Sequence, residues 1–446
     1  MSQSRSKRPH VLLAAYDCAP NKGSVSKIGW QWYSHLVQKV PVTLVTHIRN
    51  REDLLEVGAP LSDSKIIFID TEWFARPVCS VAEKIFPMAE HAKTLLCSPD
   101  FYIYDWVAIR KLKALRQTGV QWDIVHLVTP VSPVAATRLH VLKRPVVLGP
   151  WNGGLKNPTE FPDIMKEEAS WLYPIRHLGY LIDFITGTTR HASAILTATT
   201  ATVQSIPARY HSRCRHLLEN GVDLKLFTPT PWSALPSSTQ ALQIIFVGRF
   251  QPFKGIPMLL EAIAQLKNKF PIHLTIVGEG LLREQWENQA KHLEINELIT
   301  WYGQALSAEV AEQIQKAHVL CLPSVRESGG GVLLEAMACA RPVIALKYGG
   351  PAEIIDDKIG CAIPIEGGPT AVIASLVDCI SSIFKEPEVW QQKGIVARQR
   401  TEQLYGWDAK INQALILYQE LLKTPPRNDA ERDALHSQHE VGNDKI

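Results

Sequence analysis

The chain has 446 residues, 46% of them apolar and 20% charged. That length exceeds one ordinary core and calls for two domains of roughly 200 residues, and the composition excludes a disordered polymer. Net charge is +3, but residues 1–215 hold 26 Lys and Arg against 17 Asp and Glu, a net of +9, so the remaining 21 and 27 leave −6. A basic first half suits an acidic partner, phosphates or anionic lipid, as well as it suits a plain solvated surface.

From the N-terminus, strand-like apolar runs alternate with helical ones: His10 to Tyr16, Val42 to Thr46, Lys65 to Ile69, Asp123 to Val128, Pro145 to Leu148 and Ala194 to Thr197. This alternation predicts a parallel sheet with right-handed crossovers, hence a Rossmann-like domain over 1–226. Residues 227–240, rich in Pro, Ser and Thr and without periodicity, read as an interdomain linker. The alternation restarts over 241–405, with strands at Leu242 to Gly248, Ile272 to Val277, Leu298 to Tyr302, His318 to Leu322 and Pro342 to Leu346. Two α/β domains of this kind are expected to face a central cleft, with the ligand at the carboxyl ends of both sheets. Helical runs occupy about 370–384 and 388–404, and a last helix lies within 406–423. The polar, aromatic-free tail 424–446 is expected to be disordered.

The most informative stretch runs from Pro323 to Ile355, PSVRESGGGVLLEAMACARPVIALKYGGPAEII. A glycine triplet, Gly329, Gly330 and Gly331, stands between a buried-looking strand and a helix-like run. Such a turn leaves backbone amides uncovered, and with the helix dipole they favour an anion. Glu327 in the loop and Glu335 about one turn into the helix would be repelled by a phosphate, so neutral hydroxyls suit them better. A phosphate site flanked by two hydroxyl-binding carboxylates fits a sugar nucleotide. The plainer reading, glycines at a turn and a glutamate on a helix, describes many α/β proteins.

Further signals are individually weaker. Arg249 and Lys254 follow the first strand of the second half within Gly248-Arg-Phe and Lys254-Gly255, and could neutralise a diphosphate or simply face solvent. Gly278-Glu-Gly280 opens like a dinucleotide fingerprint, but Arg283 stands where the third glycine belongs. His126 closes a strand, where a histidine is either a satisfied core residue or, at a carboxyl end, part of a site. No Walker A motif, Asp-x-Asp, metal-spaced His/Cys cluster or Gly-x-Ser-x-Gly elbow occurs. No metal and no cofactor are therefore expected, and no nucleic-acid partner.

Taken together, Pro323-Ser324, Glu327, Glu335-Ala-Met-Ala, Pro342-Val-Ile-Ala, Gly349-Gly350 and Glu353 resemble the donor-binding segment of glycosyltransferase family 4, retaining enzymes of the GT-B fold. The family usually carries a bulky residue where Gly329 stands, which implies a more mobile loop here. The resemblance implies that Arg249 and Lys254 bind the donor diphosphate, that Glu327 holds sugar hydroxyls and Glu335 the nucleotide ribose, and that Gly278 and Gly280 lie near the base. It assigns His126, through an Asp-x-x-His pattern, to a hydroxyl of the transferred sugar. It also implies that the last helix crosses back to the first domain. Gly23 and Ser24 form the first strand-to-helix loop, where relatives often read Gly-Ser-Glu and this chain has Val25; they would approach donor phosphate or acceptor. Gly153 and Gly154 look like the glycine loop of relatives that use lipid-linked or polysaccharide acceptors, or form an ordinary turn.

The expected activity is a retaining, metal-independent hexosyl transfer (EC 2.4 class). The donor would be a nucleotide-diphosphate sugar and the acceptor a glycan or lipid-linked hydroxyl, in cell-envelope or exopolysaccharide assembly. A non-catalytic sugar-nucleotide-binding protein could keep the same pocket, and a Rossmann oxidoreductase would need the fingerprint that is incomplete here. The eight cysteines form no CxxC pair, the apolar start is too short for a signal-peptide core, and no run reaches about 18 uninterrupted apolar residues. A cytoplasmic chain is expected. Peripheral contact with an anionic membrane is drawn from Phe101 to Trp106 with Arg110 to Lys113, and from Trp171 to Tyr180.

Overall fold

The computed structural model describes residues 8–20, 22–58, 65–85, 96–162, 164 and 176–423. The tail 424–446 and the first part of the Trp171 to Tyr180 segment lie outside them. The chain forms two compact units: Met1–Gly154, Tyr173–Glu219 and Ile411–Ile446 make the first, and Leu155–Leu172 with Asn220–Lys410 the second.

The first unit is a seven-stranded sheet. Its strands are β1 (Val11–Ala15), β2 (Val42–His47), β3 (Lys65–Ile69), β4 (Ile124–Thr129), β5 (Val146–Trp151), β6 (Ala194–Thr197) and β7 (Cys214–His216), in the order β3-β2-β1-β4-β5-β6-β7. All pairings are parallel. The inner strands are buried along their whole length, as expected when helices cover both faces. Edge strand β3 alternates instead, with Lys65 exposed. Among the described residues its helices are α1 (Ser24–Leu36), α2 (Arg51–Glu56), α3 (Glu72–Ile85), α4 (Pro99–Gln117), α5 (Arg176–Thr186), α6 (Thr188–His191) and α7 (Thr200–Gln204). Proline starts α4, where the N–H it lacks would have found no partner within the helix. From there Phe101, Tyr104, Ala108 and Leu112 recur at helical spacing and pack on Leu12, Ala14, Val125, Leu127 and Leu148. Period two turns His126, between Val125 and Leu127, to the opposite face.

The second unit holds six parallel strands, β8 (Leu242–Val247), β9 (Ile272–Val277), β10 (Ile299–Gly303), β11 (Val319–Leu322), β12 (Val343–Leu346) and β13 (Gly360–Ile363), in the order β10-β9-β8-β11-β12-β13. Its helices are α8 (Ile256–Leu266), α9 (Arg283–His292), α10 (Ser307–Lys316), α11 (Gly331–Ala338), α12 (Gly350–Ile354), α13 (Gly368–Lys385) and α14 (Pro387–Leu404). Helix α13 is long and apolar enough to cross a membrane by length and composition, but it buries Val372, Leu376, Ile380 and Ile383 and packs on α8. Within α15 (Trp407–Lys423) the chain rejoins the first unit at Ile411, burying Ile411, Ala414 and Tyr418.

Candidate functional site

In the second unit β8 lies beside β11, and the connections leave these neighbours in opposite directions along the sheet. A crevice forms at the carboxyl ends of such a pair, where no crossover covers the strand tips. Beyond β8 the chain runs through Gly248, Arg249 and a single helical turn, Pro252–Lys254, to Gly255. Gly255 has a φ of +67°, and a Cβ there would lie 2.1 Å from the carbonyl oxygen of Pro323, just past β11. Only glycine allows both the left-handed turn and that approach. The Val325 N–H donates to the Phe253 carbonyl at 2.8 Å and joins the two loops again.

These contacts bring Lys254 to Glu327. Nζ lies 2.6 Å from Oε2, and the side chains are 15% and 17% exposed. The other carboxylate oxygen, Oε1, accepts from the N–H of Gly330 at 3.2 Å. Gly330 is the N-cap of α11 in the left-handed conformation. The glycine turn therefore differs from its expected form: one of its amides holds a side-chain carboxylate rather than standing open to a phosphate. The backbone of Glu327 is fixed from the far side, because the Gly350 N–H donates to its carbonyl at 2.9 Å. Cβ atoms at Gly349 and Gly350 would lie 2.3 and 2.0 Å from the carbonyl oxygens of Glu327 and Ser328.

Arg249 is exposed beside this pair; a Cβ on its neighbour Gly248 would be 3.7 Å from Lys254 Cε. Gly329 is buried, Gly331 opens α11 beside the Asn220 side chain, and Glu335 is half-buried one turn further on. Gly278 and Gly280 pack tightly on the backbone of Gly248 and Phe250 respectively. Arg283, in place of a third glycine, pairs with Glu279 and, at 2.7 Å, with Glu287. Arg326 was not singled out by sequence reasoning. It donates to Asn157 Oδ1 at 2.9 Å, and its guanidinium lies 5.6 Å from the centre of the Phe253 ring, with Lys254 Nζ 5.4 Å from the same ring. The available signal was adjacency: an aromatic next to Lys254 and a cation next to Glu327.

In the first unit β1 and β4 occupy the equivalent position. Thr129 clips them together, its hydroxyl donating to the Asp17 carbonyl at 2.9 Å and accepting from the Asp17 N–H at 3.0 Å. Beyond β1, β2 and β3 lies a cavity of about 550 Å³ whose wall includes Tyr16, Asp17, Lys22, Arg49, Glu72 and Arg76. Arg49 anchors it, 2.5 Å from Glu72 and 2.8 Å from Asp100, and Asp100 also takes a short hydrogen bond from the Tyr16 hydroxyl. Burial pushes the Asp17 carboxyl up to about 6, with Arg49 opposing and Asp100 adding to the shift. Such carboxylates, guanidinium and phenol groups can divide donors and acceptors among the hydroxyls of a polyol.

The glycines expected on the acceptor side fall in two places. Gly23 caps α1, exposed and with open space where a Cβ would be, and Ser24 begins that helix. Gly153 has both backbone groups taken by Thr202, at 3.2 Å from its N–H and 2.9 Å to its carbonyl, and Gly154 packs on Ala201 and Ser205. His126 requires a correction. It is fully buried, with Nε2 2.6 Å from the Gly149 carbonyl and Nδ1 2.6 Å from the Tyr418 hydroxyl. A carbonyl only accepts, so Nε2 carries the proton and Nδ1 accepts from Tyr418. Burial pushes its pKa down to about 4, keeping the ring neutral. Both nitrogens are spent inside the protein, so His126 does not reach a sugar hydroxyl.

Residues 233–394 match the family model of the glycosyl transferases group 1. A D-inositol 3-phosphate glycosyltransferase of Segniliparus rotundus is 30% identical over 214 residues, 46% of this chain and 46% of that protein. The chain thus spans about half the length of the curated relatives it matches. Among solved structures, sucrose-phosphate synthase from Thermosynechococcus elongatus superposes with a TM-score of 0.60 at 18% identity, over 93% of this chain and 99% of that one. Anabaena Alr3699/HepE in complex with UDP and glucose gives 0.57 at 15% identity, over 92% and 100%. The two parallel α/β units and these neighbours give the chain the GT-B fold, and its residues 233–394 are similar to the glycosyl transferases group 1.

Proposed function

We propose that the protein is a retaining hexosyltransferase that moves a sugar from a nucleotide-diphosphate sugar to a hydroxyl acceptor. The observation that carries this reading is the Lys254–Glu327 pair at the β8/β11 crevice, held there by Gly255 on one side and Gly349–Gly350 on the other. The donor diphosphate is met by Lys254, Arg249 and Arg326, positive charge already in place at the crevice to stabilise charge on a leaving group. This is charge that a metal ion would otherwise have to supply, so the reaction is read as metal-independent.

The bond between the anomeric carbon and the phosphate oxygen breaks, and its electron pair stays on the diphosphate. The acceptor oxygen forms the new bond from the same face of the sugar, and its proton passes to the departing phosphate oxygen. Lys254 follows the growing negative charge. Glu327, released from that pairing, holds sugar hydroxyls and opposes the positive charge on the oxocarbenium-like ring. Glu335 holds the ribose. The first-unit cavity takes a polyhydroxylated acceptor, a glycan or lipid-linked sugar, with the chain working at the inner face of a membrane in envelope or exopolysaccharide assembly. A uridine donor is favoured by the neighbour solved with UDP and glucose.

The test is nucleotide release from UDP-, GDP- and ADP-sugars by purified protein, with and without EDTA, and anomeric configuration of the product by NMR. Release that survives EDTA, with retained configuration, supports the reading. Tight calorimetric binding of a donor with no release in any acceptor mixture would instead make this a sugar-nucleotide-binding protein.

A further inference from the structure

Helix α5 is built inside out. Among its described side chains the exposed ones are Leu178, Leu181, Phe184 and Ile185, which are 55%, 53%, 75% and 73% exposed. All four are apolar and recur at three- and four-residue spacing, so they form one stripe. Asp183 and Thr186 turn the other way. Asp183 accepts from the Thr189 N–H at 2.9 Å and its hydroxyl at 2.8 Å, and the Thr186 hydroxyl donates back to Ile182. Gly179 lies against Val134, whose Cβ would be 2.5 Å from an added Cβ. Single exposed apolar residues are ordinary on any surface; four together on one helix face are not.

Among the described residues, cations stand around it. Exposed Arg209 is close enough for its charge to act on Asp183, and exposed Arg190 follows in α6. The Tyr102 hydroxyl donates to the same Val134 carbonyl region at 3.0 Å, which places the first half of α4 beside α5. One turn on, Trp106 is 51% exposed under the Arg110 guanidinium, 4.7 Å from its ring centre. The exposed positions of α4 continue with Lys111 and Lys113, while its carboxylates, Asp100 and Asp105, are buried. An apolar stripe edged by arginine, lysine and tryptophan, without exposed carboxylates on either helix, is complementary to an anionic bilayer.

We infer that the first unit docks on an anionic lipid bilayer through the apolar face of α5. Phe184 and Ile185 enter the acyl boundary, Trp106 sits at head-group depth, and Arg110, Lys113 and Arg209 meet lipid phosphates. A second copy of this chain is disfavoured, since the same cations would then face one another. The inference gives a named surface to the membrane contact proposed above. It stands apart from the transfer reaction, because the measurement needs neither donor nor turnover.

The experiment is flotation of the full chain with vesicles of phosphatidylcholine alone or with about 30% phosphatidylglycerol, at low salt and at about 0.5 M salt. The chain should float with the anionic vesicles at low salt only. Phe184→Ser with Ile185→Ser should cut the bound fraction about tenfold or more, while Leu306→Ser, at an equally exposed site in the second unit, should leave it unchanged. Phe184→Trp should show a blue-shifted emission with anionic vesicles. No flotation of the wild type, equal flotation with phosphatidylcholine alone, or undiminished binding by the serine variant overturns the inference. So does a concentration-dependent dimer in light scattering that the serine variant abolishes, which would give the face to a second copy.

Discussion

Lys254 and Glu327 stand 73 residues apart in sequence and 2.6 Å apart in space. The same carboxylate takes the amide of Gly330, so one side chain ties the β8 loop to the start of α11. A shielded pair of this kind costs more to break from one side than to remove whole, because the remaining partner keeps an uncompensated charge.

Glu327→Gln keeps the shape and removes the charge. We expect a loss of about 2–4 kcal/mol in transition-state stabilisation, seen in kcat, with affinity for the nucleotide product nearly unchanged. Lys254→Ala should weaken that product instead. In a double-mutant cycle the two changes should fail to add by about 1–3 kcal/mol. Steady-state kinetics and calorimetry on the three variants decide the matter, and full additivity would dismiss the pair as a working unit.

Glu335 sits on the helix rather than the loop, where its contact should be the same before and during reaction. Glu335→Ala should therefore raise KM for the donor and leave kcat close to wild type. A selective fall in kcat would reverse the roles of the two glutamates.

Gly255→Ala and Gly350→Ala each put a Cβ at 2.1 and 2.0 Å from a backbone carbonyl oxygen. Backbone cannot step aside as a side-chain tip can, so each should cost about 3 kcal/mol in urea unfolding and loosen the Glu327 loop. A variant with wild-type stability and turnover would show that the loop spacing is not needed.

His126 carries a pH signature. Its pKa falls from 6.5 to about 4 in the fold through burial, so the contribution is whole above 6.5 and is lost as pH drops through 6.5 towards 4. The size is about 3 kcal/mol for a shift of that extent. His318, also near 4 through burial, adds a loss of the same sign. Unfolding midpoints between pH 7.5 and 4.5 should fall more steeply for wild type than for His126→Gln; parallel curves would mean that the ring is not held neutral.

Local chemistry was enough to reveal most of the architecture. The inner strands of both sheets read as apolar runs because each is covered on two faces, and glycines with flanking glutamates marked the turn between β11 and α11 because their backbone and charge requirements are local. Strands β7 and β13 escaped, since Cys214–His216 is short and largely exposed, and Gly360–Ile363 opens on a glycine that lies 2.0 Å, by its added Cβ, from the Val343 carbonyl. What a sequence pattern could not contain is which distant groups meet. His126 looked like a site residue until Tyr418, 292 positions away, took one of its nitrogens. Arg326 acquired its place from Asn157, 169 positions earlier, and the first-unit cavity gathers residues from the ends of β1, β2 and β3. Periodicity reports only the environment a residue needs. Its partner is chosen by strand order and crossover path, and these are settled only when the whole sheet is assembled.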